Sequence, residues 1–283
     1  MPVDPPPRAL AGIGDEAATS VAGQIAAIQR LGWRHVELRS VDGTALADLT
    51  DAAFARVRTA LRDAGLDVVC AASRIGNWAR PVTAPFADDL HELDVLADRC
   101  GALGTRYVRI MSYPDGGLAP DDWRDRVLDR TARLAERAAR RGVVLLHENC
   151  AGWAGADADR MRQLLDAADG LGLLFDTGNG VDHGYDAAEL LPPLLPHVAH
   201  VHVKDAVGGP GQARYVLPGD GSARVADCLR LLLDSGYTGA LSLEPHLATR
   251  PHDGVRAEDA EPFVRAGRRL EALLHELAGS VPA

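Results

Sequence analysis

Short apolar runs alternate with longer amphipathic stretches eight times along this chain, and nothing interrupts the rhythm. Runs of four to eight residues bounded by polar or turn residues read as buried strands. Stretches with apolar residues three and four apart read as helices packed on one face. The pattern predicts strands at Ala9–Ile13, His35–Arg39, Asp67–Ala72, Arg106–Met111, Val143–Glu148, Leu171–Asp176, Val198–Lys204 and Ala240–Glu244. The intervening helices are predicted at Ser20–Leu31, Asp51–Ala64, Pro85–Cys100, Asp121–Arg141, Asp157–Ala168, Asp186–Leu195, Ser222–Ser235 and near Glu258–Ala278. Gly32, Gly65, Gly101 and Gly142 stand just beyond the first four, where a left-handed residue ends a helix. Eight even β/α units over 283 residues, with no linker or shift in composition, fit one (β/α)8 TIM barrel spanning 1–283. A doubly wound open sheet is the alternative, but no glycine-rich nucleotide fingerprint follows the first strand.

Four of the runs end in groups that bind metals. Glu148 follows the fifth run, Asp176 ends the sixth, His200 and His202 lie in the seventh, and Glu244 ends the eighth. In a closed parallel barrel the C-terminal strand ends converge on one face, so Glu148, Asp176, His202 and Glu244 are placed to surround one cation. Strand alternation supports this: with Glu148, His202 and Glu244 inward, His200, Lys204, Ser242 and His246 share their side. Leu145, Val201, Val203, Leu241 and Leu243 then face the helices, and so does His147, which reads as a structural or surface group. His197 reads as a structural or surface group. Three carboxylates and an imidazole make an oxygen-rich set that suits Mn²⁺ first, with Mg²⁺, Co²⁺ or Zn²⁺ as alternatives. Without a cation, a formal charge of about −3 in one buried site would be costly. Glu37 and Arg109 are either inward polar groups or helix-layer ion pairs, and alternation leaves both open. Asn77, Trp78 and Trp153 lie in loops on the same face, where they either stack on a ligand or pack the loops.

The order of His-Glu-Asn at 147–149, Phe-Asp-Thr-Gly-Asn at 175–179, His-Val-His-Val-Lys-Asp at 200–205, Leu-Pro-Gly-Asp-Gly at 217–221 and Leu-Ser-Leu-Glu-Pro-His at 241–246 resembles the sugar isomerase/epimerase superfamily of metal-dependent barrels. That superfamily includes xylose isomerase-like proteins, ketose 3-epimerases, inosose dehydratase and endonuclease IV. The resemblance implies Glu148, Asp176, His202 and Glu244 as metal ligands, with Glu148 and Glu244 also moving protons. It implies an isomerase or epimerase of a ketose or keto-polyol, working by α-proton abstraction through an enediolate. A lyase or dehydratase on an oxidised sugar or inosose would use the same site.

The ketose epimerases place a substrate-binding histidine where Asn179 stands, and an arginine soon after the ligand histidine. Here Lys204 stands in that region and the nearest arginine is Arg214. Asn179, Lys204, Arg214, His246 and Trp153 are therefore the expected substrate contacts. Endonuclease IV-like repair is a remote alternative, since its three-zinc site needs a histidine at 179. A sugar-binding barrel without catalysis is a further alternative.

The formal charge of −10 argues against nucleic acid as a partner. Cys70, Cys100, Cys150 and Cys228 lack CxxC spacing and read as reduced, buried thiols. The opening MPVDPPPRAL has neither the basic start nor the apolar core of a signal peptide, and no apolar stretch approaches the ~20 residues that span a bilayer. The expectation is a cytoplasmic enzyme of small sugars or polyols with no membrane partner. Related barrels often associate, so a homo-oligomer is compatible with the resemblance.

Overall fold

The computed structural model describes residues 9–247 and 259–279. Eight parallel strands form the barrel: β1 Leu10–Gly12, β2 His35–Leu38, β3 Asp67–Ala72, β4 Tyr107–Ser112, β5 Val144–Gly152, β6 Gly172–Asp176, β7 Val198–Val203 and β8 Leu241–Leu243. Each pairs with its neighbour in sequence, and β8 pairs with β1. The ring closes between β1 and β2 through one bridge, Ile13 to Glu37. The TIM barrel read from the alternation is the fold observed.

The main helices are α1 Val21–Leu31, α2 Asp51–Asp63, α3 Phe86–Leu103, α4 Pro120–Arg140 and α5 Ala158–Ala167. After β6 come two short ones, α6 Asn179–His183 and α7 Ala187–Leu190, then α8 Val225–Asp234 and α9 Glu261–Gly279. Local chemistry sets several of these ends. The Ser20 and Thr50 hydroxyls accept the Gly23 and Ala53 amides, and Asp157 accepts two amides at the start of α5.

Two helix expectations need correction. The third helix does not stop at Gly101: that glycine sits on an exposed face, and the helix runs one turn further to Gly104, which takes the left-handed conformation at φ +76°. The helix expected over Asp186–Leu195 is one short turn, Ala187–Leu190, followed by a 3-10 segment over Pro192–His197. Pro192, Pro193 and Pro196 lack the amide hydrogens an α-helix requires there. The expected start of the last helix, Glu258, lies outside the described residues; the observed α9 begins at Glu261.

The alternation argument holds in the packing. Leu145, Leu173, Phe175, Val201, Val203, Leu241 and Leu243 are buried in the large apolar cluster between barrel and helices. Inside the barrel, Cys70, Leu146 and Leu174 form a small separate apolar floor. Leu146 and Leu174 sit two residues before Glu148 and Asp176, so the same strand faces carry a dry floor and then a polar layer toward the C-terminal ends. All four cysteines are free and buried, and burial pushes the Cys100 and Cys228 thiols up to about 12. Among the described residues no helix is long and apolar enough to cross a membrane.

Candidate active site

The polar layer opens into a cleft of about 570 Å³ at the C-terminal mouth. At its base Glu148, Asp176, His202 and Glu244 present ligand atoms that all lie within 4.8 Å of one another, every one buried. His202 Nδ1 is central, 3.5 Å from Glu148 Oε1, 4.0 Å from Asp176 Oδ2 and 3.4 Å from Glu244 Oε2. Among the described residues neither His202 Nδ1 nor Asp176 Oδ2 makes a hydrogen bond, although Lys204 Nζ lies 3.1 Å from that oxygen. Buried polar atoms are seldom left without hydrogen bonds, so two such atoms facing one point mark a place for a further group. Three hard oxygens and one imidazole nitrogen fit a divalent cation there.

Each member of this set is held from behind. His202 Nε2 lies 3.0 Å from both oxygens of Glu37, and His200 Nε2 lies 2.8 Å from one of them. Glu37 thus turns Nδ1 of His202 toward the cleft. A carboxylate behind the imidazole also fixes its tautomer and raises its basicity as a ligand. Burial alone would raise the Glu37 carboxyl, but the His202 and His200 imidazoles outweigh it and hold it well below the usual carboxylate range.

Asp176 accepts the Gly178 and Asn179 amides on Oδ1, which leaves Oδ2 for the cleft. Burial, with Glu244 and Glu148 close by, raises its carboxyl despite Lys204. Asn149 brackets Asp176, accepting its amide at 2.7 Å and donating to its carbonyl at 2.8 Å. The Asn of the His-Glu-Asn segment is therefore a clamp between β5 and β6.

Glu148 receives the Asn179 side-chain amide at 3.1 Å, and Arg109 Nε lies 3.4 Å from its other oxygen. Burial opposes ionisation of Glu148, but Arg109 and His202 prevail and keep its carboxyl low. Glu244 lies between Lys204 Nζ at 2.7 Å and Arg39 Nη1 at 2.7 Å. Lys204 and the neighbouring imidazoles hold it well below the usual range against burial. Burial opposes the charge on Lys204 too, but Asp176, Glu244 and Glu148 raise its amine well above the ordinary value.

Asp205 explains two further motif segments. Its carboxylate accepts the amides of Ala206, Gly219, Gly221 and Ala223. It thereby ties the 217–221 turn beneath the hairpin of Asp205–Val207 with Arg214–Val216. A Cβ on Gly221 would come within 2.1 Å of Asp205 Oδ1, so the turn requires glycine.

A family model for the xylose isomerase-like TIM barrel matches residues 25–266. The chain belongs to that family. An inosose dehydratase from Lacticaseibacillus casei is 25% identical over 173 residues, 55% of this chain and 56% of the relative. The rhizopine catabolism protein MocC of Rhizobium meliloti is 29% identical over 195 residues, 59% of each chain. The xylose isomerase-like chain thus spans a little over half the length of the curated relatives it matches. In fold it is similar to a D-tagatose 3-epimerase-like protein, with a TM-score of 0.76 at 15% identity over 96% of this chain and 100% of that one.

Of the expected substrate contacts, Asn179, Lys204 and His246 line the cleft. Trp153 does not: it is buried in the apolar cluster under Arg160, because its loop turns back between β5 and α5. Arg214 does not either; it points to solvent from the hairpin, and its neighbour Tyr215 lines the cleft and packs edge-on against His246. Trp78, 51% exposed, stands at the cleft wall. Glu37 and Arg109, left open by alternation, both face inward.

Sequence reasoning did not single out Arg39, Asp15 and Glu16. Arg39 Nη2 reaches Asp15 at 2.8 Å and Glu16 at 2.5 Å, and Glu16 in turn holds the His246 ring at 3.0 Å. A signal for Arg39 existed. In His-Val-Glu-Leu-Arg at 35–39, the polar residues take one parity and the apolar ones the other. In a barrel covered by helices the polar parity belongs inside.

Proposed function

We propose that this barrel is a divalent-metal-dependent isomerase or epimerase of a ketose or keto-polyol, opening its reaction by removing a proton beside the carbonyl. The observation that carries the reading is the buried four-residue donor set whose His202 Nδ1 and Asp176 Oδ2 have no hydrogen-bond partner. Glu148, Asp176, His202 and Glu244 would hold the cation, Mn²⁺ before Mg²⁺, Co²⁺ or Zn²⁺. When bound, the cation supplies Lewis acidity, worth several kcal/mol to the negative charge that develops on the substrate oxygens.

The rest falls to the chain's own groups. Glu148 and Glu244 approach the centre from β5 and from the end of β8, flanking whatever sits between them. Arg109 and Lys204 hold these carboxylates ionised, the form a general base requires. In an epimerase one carboxylate takes the α-proton and the other returns a proton to the opposite face. In an isomerase the proton returns to the neighbouring carbon. A positioned base of this kind contributes roughly 10²–10⁴-fold. Asn179, Lys204 and His246 line the path of the substrate hydroxyls, and Trp78 offers an aromatic face at the rim. We assign the enzyme to small, soluble substrates.

A second reading, dehydration of an oxidised sugar or inosose, is favoured by the relatives named inosose dehydratase. It begins with the same proton abstraction and ends with loss of a β-hydroxyl. Proton NMR in D₂O with Mn²⁺ and a panel of ketoses, keto-sugars and inososes tests both. Deuterium entering beside a carbonyl, abolished by chelator and by E148Q or E244Q, is expected. An exchanged sugar or its epimer identifies the isomerase, and an enone product identifies the dehydratase. Full activity of both glutamine variants would sink the two-glutamate mechanism.

A further inference from the structure

The cations in the cleft wall are not equivalent. Arg39 donates to Asp15, Glu16 and Glu244. Arg74 is paired with Asp48 and Glu92. Lys204 donates to Glu244. Arg109 is different: it is 5% exposed, its guanidinium makes no hydrogen bond among the described residues, and its buried Nε is without a partner. Its one ion-pair neighbour among the described residues is Glu148, 3.4 Å away. That neighbour is Oε2, which lies beside Nε alone; the Asn179 amide is on Oε1. On the metal-dependent reading, on which this inference rests, the cation also claims the charge of Glu148. The two Nη groups of Arg109 then carry a share of the guanidinium charge with neither hydrogen bond nor anion among the described residues. Leaving such a group buried and unsatisfied is costly, so the position makes sense when something else completes it.

The surroundings define what that is. Arg109 lies on β4 opposite Ala72 of β3 and Leu146 of β5, and the small Ala72 leaves the guanidinium open to the cleft. Ser73 and Met111 line the same wall, and neither carries negative charge. A planar fork that faces open space accepts a planar, two-oxygen anion best.

We infer that the substrate of this enzyme carries an anionic group, a carboxylate in preference to a phosphate, bound by Arg109 on the β3–β4 side of the cleft. The reacting carbonyl lies toward Glu148 and Glu244. The substrate class narrows from neutral ketoses to keto-sugar acids or carboxylated keto-cyclitols.

Calorimetric titration of the Mn²⁺-loaded protein with matched pairs tests this: D-glucuronate against D-glucose, D-galacturonate against D-galactose, with D-glucose 6-phosphate as the phosphate arm. The uronates should bind at least about tenfold tighter than the parent hexoses, the scale of hydrogen bonds to a charged group. R109Q should abolish that preference, bringing the uronates to the affinity of their parent hexoses. R109K, which keeps the charge and loses the fork, should retain part of it. A preference shown by glucose 6-phosphate alone, lost in R109Q, overturns the carboxylate and assigns phosphate. Uronates binding no better than hexoses, including no binding by either, overturn the inference. So does a preference that survives R109Q, which would place the carboxylate on the metal. Equal weakening of hexose and uronate by R109Q overturns it too, because Arg109 would then act only through Glu148. A parallel Mn²⁺ titration separates the two readings: absent metal binding defeats the proposed function, whereas intact metal binding with no uronate preference defeats this inference alone.

Discussion

Glu37 has both carboxylate oxygens committed to the two histidines of the seventh strand. Glu37→Gln offers one acceptor where two imidazole N–H groups need one each, so His202 or His200 loses its anchor. Loss of such an outer partner typically costs 10–100-fold in metal affinity, and a Mn²⁺ titration of the folded variant should show a drop of about that size. Unchanged affinity would mean that Nδ1 of His202 is held by packing alone. His147 yields the opposite kind of prediction. It points away from the cleft, is buried, and has no hydrogen-bond partner among the described residues on either ring nitrogen. Burial pushes it down to about 4, whereas an unfolded histidine titrates near ~6.5. Below about pH 6.5 the unfolded chain therefore takes up a proton that the native state refuses. Stability is lost as the pH falls toward about 4, by roughly 2 kcal/mol at about pH 5 and 3 kcal/mol in all. His147→Leu removes this contribution without touching the chemistry; urea unfolding at the two ends of that window should show a flatter pH profile than wild type, and parallel profiles would refute the assignment. The convergence of Glu148, Asp176, His202 and Glu244 was legible because each lies at or near the end of an apolar run on a strand of known parity. Asp15 and Glu16 were less so, because a loop residue's direction depends on tertiary partners far away in sequence.

At the scale of elements, strand positions were legible to within a few residues, since eight apolar runs leave little choice. Helix ends were less so. Gly101 and Gly104 are both plausible stops in sequence, and only the packing of the Leu103 turn selects the second. Trp153 and Arg214 were misplaced for a related reason: loops fold back or flare by one residue, and a one-residue change exchanges core for cleft or cleft for solvent. The ring itself has a weak point. β4 and β5 pair along most of their length, but β1 and β2 meet through the single Ile13–Glu37 bridge. What spans that seam is Arg39, joining Asp15 and Glu16 after β1 to Glu244 after β8. Arg39→Met would leave three largely buried carboxylates without their shared cation, a change on the order of 3–5 kcal/mol. Amide hydrogen exchange should accelerate first in residues 10–16 and 35–41, with 144–152 still protected. Uniform acceleration around the barrel would show that the seam is no weaker than the rest.

For the molecule as a whole, the carboxylates gathered at one end of the barrel set a conflict that folding alone leaves unresolved. Glu148, Asp176 and Glu244 converge where each raises the cost of ionising the next; the neighbouring cations outweigh it at the two glutamates, and the cost that remains falls on Asp176, whose carboxyl stays raised despite Lys204. The apolar floor of Cys70, Leu146 and Leu174 keeps water from reaching the layer from below. A divalent cation binds the assembled set and has no comparable site in the unfolded chain, so it should stabilise the native state by mass action. At 100 times its dissociation constant the gain is about 2.7 kcal/mol, which for a domain of this size corresponds to a rise in Tm of roughly 5–10 °C. Calorimetry with Mn²⁺ and with EDTA should show that difference. Asp176→Asn should abolish it while raising the Tm of the metal-free protein, because removing one of three like charges relieves the repulsion in the empty layer. Mn²⁺ giving wild type and D176N the same shift would place the cation elsewhere. A metal-free D176N no more stable than wild type would mean that Lys204 already neutralises the layer and that the barrel is built to work without a cation.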